Sequence, residues 1–172
     1  MKSNRLTHLD NEGRARMVDV GSKPVTRRRA VAEGRISMNR ETLDAIRQGG
    51  VGKGDVLAVA RLAAIGGAKR TAETIPLCHP LPLTSVDVEI EFETDGPRPA
   101  LRMTVETTVE ARTGVEMEAL CGVSAGLLAV YDMCKALDRA MEIDEVRLVA
   151  KQGGRSGPWR RMNADDEQEI DR

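Results

Sequence analysis

Apolar residues change their spacing several times along the chain, and each change marks an element. Ala30 to Met38 reads as a strand, after which Asn39 is placed to cap a helix whose Leu43 and Ile46 share a face and which stops at Gly49-Gly50. Asp55 can cap a second helix. From Val56 to Ala68 nearly every residue is apolar, which predicts a helix buried on most sides or packed between subunits. The stretch Ile75 to Leu83, IPLCHPLPL, holds three prolines that remove backbone donors and forbid regular helix, so it is expected to be a shaped extended loop. Val86, Val88, Ile90 and Phe92 then alternate with polar neighbours, Asp95-Gly96-Pro97 turns the chain, and Leu101, Met103, Val105, Thr107 and Val109 resume the alternation. That is a β-hairpin with one wet face. Thr113-Gly114-Val115-Glu116 fits a capping box opening a helix to about Ala140, and Val146, Leu148 and Ala150 mark a last strand.

Taking the two early helices as one crossover gives β-α-β-β-α-β, the α+β order of ferredoxin-like folds, with an antiparallel sheet covered by helices on one face. Few large side chains are left for the other face, so oligomerisation is expected to bury it. The chain divides into a partly ordered N-terminal segment (1–20), one domain (21–160) and an acidic tail (161–172), with both ends expected to be mobile. No internal repeat is visible.

Composition narrows the function. With one Phe, one Tyr and one Trp there is no row of rings on which bases could stack, which argues against single-strand or RNA-recognition binding and against a nucleic-acid partner. The formal charge of −1 gives no global field for a polyanion, so an anionic ligand needs a local cluster. Lys23 to Arg40, with six cations and one acid, is one candidate, although a solvated basic face is the more ordinary account of such a run. No apolar run approaches the roughly 18–20 residues that span a bilayer, and the polar N-terminus lacks a signal-peptide core, which points to a cytoplasmic protein without a membrane partner. Cys78, Cys121 and Cys134 show no Cys-x-x-Cys spacing and read as reduced thiols, not a disulfide framework or a structural zinc site. Positive charge is divided unevenly, with six Lys against twenty Arg, so the place of each Lys carries information.

Several constellations could carry chemistry. Lys53, in Gly52-Lys53-Gly54-Asp55, precedes a helix start, where free amides and the dipole favour an anion; Arg47 and Gly54 stand where a Walker pattern needs Gly and Ser or Thr. His79 lies among prolines 76, 80 and 82 in a loop of restricted shape, as a preorganised ligand contact requires, and Cys78 beside it would be nucleophilic only with a lowered pKa. Glu116 and Glu118 begin the long helix, while Asp132 and Lys135 share a face near its end, where a simple surface ion pair is the plain alternative. Glu118 and Asp132 are 14 residues apart, roughly 21 Å along a helix, too far for one small substrate to touch both in one subunit. A two-fold pairing of antiparallel helices would bring one copy's start to the other's end. Lys151-Gln152-Gly153-Gly154-Arg155-Ser156-Gly157 can form a nest of amides flanked by cations, suited to phosphate oxygens, or serve only as a flexible exit to the tail.

Together these stretches resemble the cyclic pyranopterin monophosphate synthase family, molybdenum cofactor biosynthesis protein C. The match runs through LTHLD (6–10), MVDV (17–20), KGDV (53–56), AKRTAETIPLCHPL (68–81), TGVEMEAL (113–120), YDMCKAL (131–137) and RLVAKQGGRSG (147–157). The resemblance implies conversion of (8S)-3′,8-cyclo-7,8-dihydroguanosine 5′-triphosphate to cyclic pyranopterin monophosphate with release of diphosphate. It also implies a ferredoxin-like homohexamer, a trimer of dimers, with its site between subunits. By motif, Asp132 matches the catalytic acid or base with Lys135 beside it. Leu77, Cys78, His79, Met117 and Glu118 match substrate-contacting stretches, and Lys53, Lys69 and Lys151 match basic pocket residues. Arg155 stands where some relatives have Lys, which keeps a phosphate clamp but forbids proton transfer there.

The residue types meet the demands of such a reaction: a carboxylate and a nearby Lys to move protons, and cations aimed at phosphate oxygens. On this reading Asp132, Lys53 and Lys135 act near the proton transfers and Lys69, Lys151 and Arg155 hold phosphates. Glu116 or Glu118, with His79, orients the purine-derived ring. No His, Cys and carboxylate spacing demands a metal, and neither metal nor cofactor is expected. A non-catalytic module that senses an anionic nucleotide, and a purely structural scaffold, are the competing classes.

Overall fold

The computed structural model describes residues 12–162; LTHLD, most of the N-terminal segment and the tail from 163 onward lie outside that range. Strand β1 (Thr26–Ser37) runs into helix α1 (Arg40–Arg47), followed by α2 (Val56–Lys69) and a single turn, α3 (Thr71–Thr74). Strands β2 (Ser85–Glu93) and β3 (Ala100–Ala111) form the expected hairpin, in register from Ser85 opposite Thr108 to Glu93 opposite Ala100. Helix α4 (Glu116–Cys134) and strand β4 (Glu142–Gln152) complete the body, and a short edge strand, β5 (Trp159–Arg160), was not legible in the sequence. The chain is thus α+β, with one five-stranded antiparallel sheet in the order β2-β3-β1-β4-β5.

The caps on the early helices form as the sequence predicts. Asn39 accepts from the amide of Thr42 at 2.7 Å and Asp55 from that of Ala58 at 3.0 Å, each satisfying a first-turn donor that has no partner within the helix. The capping box expected at Thr113–Glu116 does not form: the N-cap is Val115, which has no side-chain cap bond, and the Glu116 carboxylate folds back over Gly114 instead. Nor does α4 continue to Ala140. Asp138, 7% exposed, accepts from the amides of Ala140 and Asn39, both at 2.8 Å, and these bonds hold the turn that sends the chain into β4.

The core lies between α4 and one face of the sheet. Ala30, Ala32 and Ile36 of β1 and Leu101, Met103, Val105 and Val109 of β3 are fully buried there, with Ala119, Val123, Leu127 and Val130 of α4. Each buried Val or Leu contributes about 1.5–3 kcal/mol of transfer free energy. Gly34 sets the approach, since a Cβ there would lie 2.6 Å from Val123 and 2.8 Å from Leu127. Helix α2 packs on α4 through small residues, so its buried stripe is Val56, Ala60, Ala64 and Ala68. Its other face is open: Val59 is 40% exposed and Leu62 70%, so within one chain α2 is not buried on most sides. By length and composition α4 would suffice to cross a bilayer, contrary to the expectation that no such run exists, but here it is the core helix of the domain.

The opposite sheet face was expected to need a covering partner. It carries cross-strand ion pairs: Arg35 with Glu93 at 2.8 Å, Arg147 with Glu33 at 2.7 Å, and Arg102 reaching Glu93, Glu33 and Glu145. Alternation along β1, β2 and β3 puts these charges on the face away from the core, where they satisfy one another.

Candidate active site

At the N-terminal end of α4 the proline-rich loop lies beside the first helical turn. Leu77, Cys78, His79 and Leu81 from the loop, Met117 and Glu118 from α4, and Val18 and Val20 from the chain before β1 enclose a cleft of about 290 Å³. It adjoins a larger hollow of about 570 Å³ lined by Arg28, Arg112, Lys151 and Arg155 and by the Gly153-Gly154 backbone. Lys23, Thr113, Gly114 and Glu116 line both, so the two are lobes of one groove.

The lobes differ in character. In the smaller one Glu118 is 4% exposed, and burial, with the Glu116 charge adding to it, pushes its carboxyl up to about 7, so it exchanges a proton near neutrality. Burial also raises the Cys78 thiol, helped by Glu118 and Cys121, which disfavours a thiolate and hence a nucleophilic role. The larger lobe is cationic. Gly153 and Gly154 have φ of +90° and +81°, the left-handed backbone that glycine adopts freely, and the Arg28 guanidinium lies over Gly154, whose Cβ would come within 2.9 Å of Arg28 Cζ. Arg28 Nε is buried and has no hydrogen-bond partner among the described residues. Lys151 Nζ donates to Ser156 Oγ, and among the described residues Lys23, Arg112 and Arg155 form no ion pair, so their charge is available to an anion.

A second cluster gathers at the other end of α4. Lys135 Nζ donates to Asp132 Oδ1 at 2.6 Å, and Lys53 Nζ reaches the Asp132 main-chain oxygen at 2.8 Å and Oδ2 at 3.4 Å. The hydrogen bond from Lys135, its charge and that of Lys53 hold the Asp132 carboxyl below the usual carboxylate range. All three side chains are open to solvent. Lys53 therefore serves the end of α4, and not the α2 N-terminus that its Gly-rich setting suggested.

Of the residues singled out from sequence, Leu77, Cys78, His79, Glu116, Met117 and Glu118 meet in one lobe, and Lys151 and Arg155 join Glu116 in the other. Lys53, Asp132 and Lys135 meet elsewhere, and Lys69 borders an adjoining recess whose walls include Glu118, Leu81 and Pro82. Sequence reasoning passed over Lys23, Arg28 and Arg112 as groove residues. Two of them belong to the basic run read as a solvated face, and their selection depends on the pairing of β1 with β3, where Thr26 stands opposite Ala111 and brings Arg112 beside the start of β1. Among the described residues no three His, Cys, Asp or Glu side chains gather as a metal site would require.

The fold and groove thus define a small α+β protein with a compact lobe opening into a cationic one. The chain belongs to the MoaC family, whose model matches residues 17–154. It is 58% identical over 162 residues to the cyclic pyranopterin monophosphate synthase of Thermomicrobium roseum, covering 94% of this chain and 95% of that protein. It is 57% identical to the enzyme of that name from Chloroflexus aurantiacus, covering 92% and 96%, and 54% identical to that of Novosphingobium aromaticivorans, covering 91% and 98%.

Proposed function

We propose that this chain is a lyase of molybdenum cofactor biosynthesis that forms cyclic pyranopterin monophosphate, as its relatives are named for doing. Its substrate on this reading is (8S)-3′,8-cyclo-7,8-dihydroguanosine 5′-triphosphate and its second product diphosphate. The observation that carries the reading is the two-lobed groove. A compact lobe ending on a protonatable carboxyl suits a purine-derived ring, and the adjoining cationic lobe suits a triphosphate. Leu77, Cys78, His79, Met117 and Glu118 line the ring end, and Lys151 and Arg155, with Lys69 from the neighbouring recess, neutralise phosphate oxygens. Asp132, Lys135 and Lys53 supply the proton transfers, for which a carboxylate hydrogen-bonded to two ammonium groups has the required donors and acceptor.

Asp132 and Glu118 are separated by nearly four helical turns, so the proposal requires a second copy. In it the chain is a ferredoxin-like homohexamer, a trimer of dimers, and each site joins the Glu118 end of one subunit to the Asp132 end of another. The strand sequence β4-β1-β3-β2 and the exposed Val59, Leu62 and Leu128 on α2 and α4 support this arrangement. The test is diphosphate release from the cyclised triphosphate by the purified chain, with formation of the cyclic monophosphate. Tight binding of that nucleotide without turnover would instead identify a nucleotide-sensing module.

A further inference from the structure

Two walls of the smaller lobe are tied to neighbouring residues of β3. On one side the chain leaves the proline-rich loop at Thr84, whose amide and hydroxyl both donate to the Thr108 carbonyl at 2.9 Å. On the other side the Thr107 hydroxyl donates to the Val115 carbonyl at 3.1 Å, across the turn that joins β3 to α4. Thr107 is fully buried, in a core-facing row of β3 otherwise made of Leu101, Met103, Val105, Val109 and Ala111. A valine has nearly the same shape and avoids the cost of burying a hydroxyl, so what the hydroxyl adds at this position is its bond.

That bond falls where α4 is weakly fixed. Its N-cap, Val115, has φ −124° and ψ 22° and no side-chain cap bond, and the bond its carbonyl accepts from the Ala119 amide is long, at 3.4 Å. Packing of the buried Val115 side chain holds the residue against the core without preferring a direction. A hydrogen bond to its carbonyl is directional and sets the plane of the peptide that leads into Glu116. Glu116, Met117 and Glu118 follow, and all three line the lobe. We infer that Thr107 is a positioning residue of the candidate active site: by holding the Val115 carbonyl to β3 it fixes the rotation of the first turn of α4 and so the place of Glu118 opposite Cys78 and His79. The inference rests on the reading given under Proposed function, in which Glu118 meets the purine-derived ring. A carboxyl displaced from that ring serves it poorly, since misplacement by about 1 Å costs up to ~10²-fold in rate.

Thr107→Val removes the hydroxyl and keeps the volume, and Thr107→Ser keeps the hydroxyl. Each is assayed well below its own melting temperature, so that loss of folded chain does not lower the rate. With the cyclised triphosphate, Thr107→Val is expected to lower kcat for diphosphate release about tenfold while KM stays within about twofold, because the cationic lobe is untouched, and Thr107→Ser recovers most of kcat. Parental kcat in Thr107→Val would overturn the inference. So would a Thr107→Ser chain as impaired as Thr107→Val, which would show that shape at this position matters and its hydroxyl does not. Titration of the Glu118 carboxyl by carbon-13 NMR reads the same displacement without turnover. Among the described residues the ionisable groups around it are Glu116 on its own turn, Lys23 before β1, Cys78 and His79 from the loop, and Lys69, Arg70 and Glu73 across the adjoining recess, and neither substitution alters any of them. A carboxyl that leaves its buried place titrates closer to the ordinary 4.5. The midpoint of about 7 is therefore expected to fall by about one pH unit in Thr107→Val and to return in Thr107→Ser, and one midpoint shared by all three chains would overturn the inference. Should the parent chain release no diphosphate at all, the proposed reaction fails, and the titration still decides whether Thr107 places Glu118.

Discussion

Lys53 reaches from the loop before α2 to the last turn of α4, where its ammonium donates to the main-chain oxygen of Asp132 at 2.8 Å and lies 3.4 Å from the carboxylate of the same residue. One cation thus satisfies a carbonyl at a helix C-terminus, complements the negative end of the dipole and lowers the pKa of the side chain it contacts.

Asp132→Asn removes the charge and the proton-accepting capacity but keeps the shape. Diphosphate release from the cyclised triphosphate is expected to fall about 10²–10⁴-fold, the usual worth of a positioned acid or base. The melting temperature changes little, because solvent-exposed ion pairs contribute about 0–1 kcal/mol. Release at the parental rate would remove Asp132 from the mechanism.

Mixing subunits checks the shared site. Glu118→Ala and Asp132→Ala chains, each inactive alone, are expected to regain activity when unfolded together and reassembled. Random pairing makes about half the dimers mixed, each with one intact site, so recovery approaches about a quarter of the parental rate. Verified mixed oligomers that stay inactive would place both residues' work within one subunit.

Glu118 makes a prediction about pH. Its folded pKa of about 7 lies above the ordinary 4.5, so the folded state keeps a proton that the unfolded chain gives up at lower pH. Stability from this group is therefore fully present below pH 4.5 and is lost as pH rises through 7, by on the order of 3 kcal/mol. Glu118→Gln, which has no proton to lose, is expected to gain melting temperature relative to the parent from pH 5 to about pH 7 and to level off above it. A constant difference across that range would mean the carboxyl ionises normally.

Gly67 tests the contact between α2 and α4. A Cβ there would lie 2.5 Å from Ala125 Cβ and 2.8 Å from the main-chain oxygen of Cys121, and backbone cannot swing aside as a flexible side chain does. Gly67→Ala is expected to destabilise by about 1–3 kcal/mol despite the better helix propensity of Ala, measured by denaturant unfolding. Gly66→Ala, where nothing stands within 4 Å, is the matched control and is expected to be neutral or stabilising.

The hairpin β2–β3, the caps of α1 and α2 and the irregular proline loop were legible because each depends on neighbours a few residues away: period-two alternation, one side chain bonding an amide three residues on, and missing amide hydrogens. The end of α4 was not. Past its last turn Asp138 holds the chain in the turn toward β4 by accepting from the amide of Asn39, a contact spanning 99 positions that no local pattern announces. The same holds for the outer sheet face, where Glu33 meets Arg102 and Arg147 only because strand register places them together.

The sequence by itself determined which chemical groups this protein has to work with: six lysines among twenty arginines, four of them at 53, 69, 135 and 151 within family motifs, and a histidine between prolines. It also determined that Glu118 and Asp132, on one continuous helix, stand far apart in any single chain. Only the tertiary structure decided that Lys53 joins Asp132, that the Arg28 guanidinium lies on Gly154, and that Lys23 borders both lobes of the groove. Helical rise is a property of the chain itself, whereas these neighbours exist only once β1 has paired with β3 and β4 and α2 has packed on α4.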